Sequence, residues 1–144
     1  MSMETQEKLS AEEIQFAKCF AEEMRELIEA ELRKRFEGLS VECINETEVF
    51  GKPEVACFVG ERFYEISNGK ELDKINREYA YYVNARLETD VFVLEVSPLE
   101  CEGDGCYAGA YVNVVFKKRV LSTVTEFYAA LIANIVDVIL QSSR

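Results

Sequence analysis

The chain has 144 residues, 49% of them hydrophobic and 30% charged, with a formal net charge of −11. That is one domain's length with apolar residues enough for a core, which excludes a disordered chain. The acidity argues against nucleic-acid or anionic-membrane binding, since both draw affinity from clustered Lys and Arg, and the basic run Lys117-Lys118-Arg119 is only three residues long.

Histidine is absent. This removes Ser-His-Asp and Cys-His catalysis, histidine zinc sites and the commonest general base near neutral pH. No uninterrupted apolar run approaches the roughly 20 residues of a membrane span. The opening MSMETQEKLS lacks the apolar core of a signal peptide. The cysteines are Cys19, Cys43, Cys57, Cys101 and Cys106, an odd count of five. Without a signal peptide they point to a reducing, cytoplasmic setting rather than a disulfide framework.

Residues 1–9 read as a flexible tail and 10–144 as a single domain. Ser10-Ala11-Glu12-Glu13 is a capping box opening a helix to about Phe36. Phe16, Phe20 and Leu27 lie along one apolar line, beside Ile14, Ala17, Met24 and Ile28, and Gly38 stops the helix. Glu29–Arg33 and Glu31–Arg35 are spaced to pair on its polar side. Val41, Cys43 and Val49 alternate with Glu42, Glu46 and Glu48, giving a strand with one apolar and one acidic face. Val55 to Val59 is a second strand, which either continues through Phe63 to Ile66 past a kink at Gly60 or pairs with that segment. Asn68-Gly69 marks a turn, and residues 70–77 fit a short helix. Tyr79 to Leu87, Val91 to Val96 and Cys106 to Val120 complete the strands. In the last, Ala108, Ala110, Val112, Val114 and Phe116 share a face that a helix can approach.

Thr123-Val124-Thr125-Glu126 reads as a second capping box, opening a helix to about Gln141. Its polar residues, Glu126, Asn134, Asp137 and Gln141, form one narrow stripe, and its apolar arc is far wider than a surface helix needs. Either the helix is buried on several sides, or Phe127, Leu131, Ile135, Val138 and Ile139 meet a second subunit. Short turns between successive strands imply an α+β fold of two layers. It consists of an antiparallel meander of about five strands, flanked by an N-terminal and a C-terminal helix.

Candidate sites are few. Cys101 and Cys106 bracket a turn, Glu102-Gly103-Asp104-Gly105, and read either as a redox pair or as two reduced thiols in acidic surroundings. Glu100, Glu102 and Asp104 resemble the start of a calcium loop, but the twelfth position is Tyr111 and no metal is expected. Tyr79, Tyr81, Tyr107 and Tyr111 read either as cross-strand packing or as the lining of a ligand pocket between helices and sheet. No phosphate loop or dinucleotide fingerprint is present and no cofactor is expected. The layout of terminal helices around a sheet resembles profilin-like domains and bacterial secretion chaperones in architecture. The reading that follows is a non-enzymatic acidic adaptor or chaperone-like binder. It forms a homodimer through the C-terminal helix, with a basic protein as the possible outside partner and neither nucleic acid nor membrane. The alternative is a small-molecule binder or enzyme with a Tyr-lined pocket.

Overall fold

The computed structural model describes residues 10–65, 81–100 and 105–142, without the side chains at 49, 50 and 63–65. Helix α1, Ala11–Arg35, opens on the expected capping box. Glu13 N–H donates to Ser10 Oγ and Ser10 N–H to Glu13 Oε1, each at 3.2 Å. The two bonds occupy amides that a helix N-terminus leaves open. The buried stripe runs Ala17, Phe20, Ala21, Met24, Ile28 and Leu32. Phe16, expected on the same line, is 63% exposed. Both expected ion pairs form, Arg33 with Glu29 and Arg35 with Glu31.

Strand β1, Val41–Asn45, is shorter than the expected acidic strand. Asn45 Oδ1 accepts from Thr47 N–H at 3.1 Å and from Thr47 Oγ1 at 2.6 Å. This local bonding competes with the ladder and turns the chain into the single-turn helix α2, Thr47–Phe50. Glu46 and Glu48 therefore leave the strand, and Glu48 binds Lys18 of α1 at 2.6 Å. Strand β2, Glu54–Glu65, runs straight through the Gly60 kink as a bulge: residues 60 and 61 oppose the single Gly109.

Strands β3, Ala85–Glu88, β4, Phe92–Pro98, and β5, Gly105–Phe116, complete one antiparallel sheet. Residues 81–84 are not strand, and the turn and helix expected within 68–77 lie outside the described residues, as does Tyr79. The strand order is β1-β2-β5-β4-β3. The run β3-β4-β5 is sequential as a meander would be, but β2 takes β5 as its neighbour. The two 12-residue strands thereby pair with each other, and the two shortest fall at the edges, where exposed backbone is least costly.

A 3-10 turn, Ser122–Val124, leads into helix α3, Thr125–Ser142. The second capping box does not form. The Thr125 hydroxyl instead lies 3.0 Å from the Ser122 carbonyl and 3.3 Å from Glu23 Oε1, tying the start of α3 to α1. The two helices pack on each other and on one sheet face, burying Met24 and Ile28 with Ile132 and Val136 over Val59, Leu94 and Val112.

The outer edge of β1 is closed by α1. Cys43 N–H donates to Glu29 Oε2 at 2.8 Å, Arg25 Nη1 to the Cys43 carbonyl at 3.4 Å, and Arg33 Nε to the Val41 carbonyl at 3.2 Å. Because Cys43 directs its backbone outward, it and Cys57 form a non-hydrogen-bonded pair of the ladder, where strands approach most closely. Their Cα atoms are 4.0 Å apart and their sulfurs form a disulfide. This overturns the expectation of reduced cysteines on these strands, and with it the argument for a reducing compartment. Cys19 alone of the described cysteines is free. Cys106 is also disulfide-bonded, while Cys101 lies outside the described residues.

Two stability predictions follow from this arrangement. The bond closes a short loop, with a sequence separation of 14, so replacing Cys43 and Cys57 together by Ala should lower the unfolding free energy by about 2–3 kcal/mol in chemical denaturation. An unchanged midpoint would contradict it. At Gly109, φ is 129° and a Cβ would lie 2.9 Å from the Val59 carbonyl oxygen and 3.0 Å from Glu61 N. Gly38, φ 84°, has open space around the same position. Gly109→Ala should therefore cost clearly more than Gly38→Ala, which carries backbone strain alone of about 1 kcal/mol.

Candidate functional site

Helix α3 presents three sides. Thr125, Ala129, Ile132, Ala133, Val136 and Leu140 are buried. The polar stripe is the one expected from sequence, with Asn134 Oδ1 accepting from Arg35 Nε at 2.9 Å. The third side carries Phe127, Leu131, Ile135 and Val138, one above another at helical spacing. Phe127 is 62% and Val138 67% exposed, and Leu131, Ile135 and neighbouring Ile139 are half-buried against the core. The Phe127 ring stands edge-on to Tyr128, with centroids 5.4 Å apart. No charged residue lies within this strip, because Glu126 and Asp137 fall on a different side of the helix.

The segment Ser122–Ser142, 21 residues, is long and apolar enough to cross a membrane by length and composition. A search for an uninterrupted apolar run misses it, since the polar stripe punctuates the sequence. Of its most apolar 18-residue stretch, 33% is buried within the fold.

The sheet face turned away from the helices carries a second group of residues. Tyr107 and Tyr111 of β5 alternate out of the core and are half-buried there, and Tyr111 stacks at a tilt on Phe58, centroids 5.5 Å apart. Tyr81 is buried in the core on the helix side instead. The tyrosines thus lie on opposite faces of the sheet, so Tyr81, Tyr107 and Tyr111 do not converge on a pocket between helices and sheet. Register decides this, because β5 presents its even-numbered residues to the helices.

Beside Tyr111 sits a buried carboxylate that sequence reading passed over. Glu54, 7% exposed, opens β2 and stands opposite Val115 on the outward face. Its Oε2 accepts from Asn113 Nδ2 at 3.0 Å, and the same amide lies 3.4 Å from the Tyr111 hydroxyl. Burial pushes the Glu54 carboxyl above its ordinary range, the Asn113 bond opposes the shift, and the nearby Glu46 adds to it. Burial likewise raises Tyr111. The available signal was that alternation from Pro53 sets Glu54 on one face with Ala56 and Phe58. Among the described residues no group of three or more Cys, Asp or Glu is placed to hold a metal ion.

Comparison with known proteins finds no matching family model, no matching curated protein and no matching solved structure.

The Glu54 shift has a definite sign. A carboxyl whose folded pKa is raised binds its proton more tightly folded than unfolded, so its ionised form destabilises the fold above that pKa, and the penalty disappears as pH falls to the unfolded value. Glu54→Gln keeps an acceptor for Asn113 and removes the charge. The variant should melt above the parent at about pH 8, with the gap closing towards about pH 4. A pH-independent gap in thermal melts would contradict this.

Proposed function

We propose that this protein is a non-catalytic interaction module that pairs with a second copy of itself through the exposed side of α3. The observation that carries this reading is the strip of Phe127, Leu131, Ile135 and Val138, whose end members are more than half exposed on a well-packed helix. Continuous apolar strips of this kind mark association surfaces, whereas single exposed apolar side chains do not. The occupant is a second copy because of charge. Two chains of net charge −11 repel, and this strip lets them meet without bringing carboxylates together. A core of apolar side chains with polar groups at its margin is also the composition of stable interfaces.

A bilayer is a poorer occupant of the same helix. Spanning it would withdraw α3 from α1 and the sheet and open the core residues it covers, such as Met24, Ile28 and Leu94, to water, at a cost of roughly 1.5–3 kcal/mol for each side chain so exposed. Pairing through α3 leaves the outward sheet face free. That face carries the exposed carboxylates of Glu42 and Glu95, which suits a basic protein partner.

Sedimentation velocity at tens of micromolar should show a dimer. Phe127→Ser together with Val138→Ser should give a monomer with unchanged circular dichroism, since both side chains are exposed. A monomeric parent chain, or a dimer indifferent to the double substitution, would sink the proposal. Flotation of the parent chain with phosphatidylcholine vesicles, with α3 shielded from protease, would give the strip to lipid instead.

A further inference from the structure

A groove of about 760 Å³ opens at one end of the sheet, between the first half of α1 and the ends of β4 and β5. This is within the range of small-molecule sites, roughly 300–1,000 Å³. None of its lining belongs to α3, so it is separate from the pairing surface.

Its floor is aromatic. Phe20 and Phe116 meet edge to face with centroids 5.2 Å apart, and Phe16 extends the same surface outward at 63% exposure. Pro53 and the strand ends at Val93 and Val115 border it.

Its rim is cationic, in a chain of net charge −11. Lys52, Lys117, Lys118 and Arg119 line it against the single carboxylate of Glu13, and that carboxylate is occupied in the Ser10 capping box. Every Lys and Arg of α1 and β3 binds a carboxylate. Lys117 is held by Glu88. Lys118 and Arg119, both exposed, make no ion pair among the described residues. In a protein with carboxylates in such excess, two adjacent cations without partners are conspicuous, and they stand at the mouth of an aromatic groove.

We propose that this groove binds one amphipathic anion, an apolar chain or ring carrying a carboxylate or phosphate monoester. The apolar body lies over Phe16, Phe20 and Phe116. The head group takes charge-assisted hydrogen bonds from Lys118 and from the planar fork of Arg119. The anion is a free molecule, because the surrounding acidic surface, in a chain of net charge −11, repels an anionic bilayer.

The test is isothermal titration with dodecanoate and dodecyl phosphate below their micelle concentrations, with dodecanol as the neutral comparison. At least one anion should bind at one site per chain. Lys118→Gln with Arg119→Gln should weaken that binding by about tenfold or more, leaving dodecanol unaffected, and Phe16→Ser should weaken both. All three side chains are exposed, so the variants keep the fold, checked by circular dichroism. Lys34→Gln, at the far end of α1, should change nothing. Failure of both anions to bind would overturn the proposal. So would equal affinity in the Lys118→Gln/Arg119→Gln variant, or binding seen only with phosphatidylglycerol vesicles.

Discussion

The pairing of β5 with β2 is the constraint from which the remaining structure is placed. Both are 12-residue strands, and they lie side by side only because Gly109 lets β5 pass under the bulge at Gly60 and Glu61. A side chain there would enter the backbone of β2. Through β2 the same pairing sets the position of β1, and through β5 it sets β4 and β3. It also fixes which β5 residues face the helices, and so puts Val112 and Val114 in the core while Tyr111 and Asn113 face outward. The polar cluster around Glu54 and the apolar core are thus two sides of one register.

The sheet edges bear on how the protein associates. Unpaired strand edges invite another strand, but the outer edge of β1 has its carbonyls and amide taken by Arg25, Glu29 and Arg33. The opposite edge, β3, is four residues long and carries the ion pair of Arg86 with Glu88. Neither edge is a good template for strand addition. The pairing proposed above accordingly uses side chains, the apolar strip on α3, rather than a strand edge. The Cys43–Cys57 bond reinforces the same arrangement by fixing β1 to β2 where α1 binds it.

The helices and the sheet were legible in the sequence because they rest on periodicity, and periodicity is local. The Ser10–Glu13 box, the stop at Gly38 and the narrow polar stripe of α3 could all be read directly. What required register was not legible. Cys43 faces Cys57 only because α2 absorbs the acidic residues between β1 and β2, and that turn depends on the Asn45–Thr47 bonds. The long β2–β5 pairing joins segments some fifty residues apart in sequence, where no turn signal links them. The tyrosines were misplaced for the same reason: alternation relates Tyr107 to Tyr111, but cannot relate either to Tyr81 across the sheet. Phe16 has the spacing of a core residue, yet it lies beyond the residues that would cover it.

The distribution of charge matters more than its sum. The −11 total suggests an evenly acidic surface that repels anions, and the Lys117–Arg119 run looks negligible against it. In the fold, the α1 cations are consumed by neighbouring carboxylates, so they contribute little to any outside ligand. Lys118 and Arg119 make no ion pair among the described residues, and Glu13, the acidic residue that lines the groove with them, is engaged by its own helix terminus. Screening over a Debye length of about 8 Å then lets the groove act on its own charges rather than on the protein's total. An acidic chain can in this way present a neutral strip on α3, a carboxylate-bearing sheet face and a cationic groove as separate surfaces of different charge.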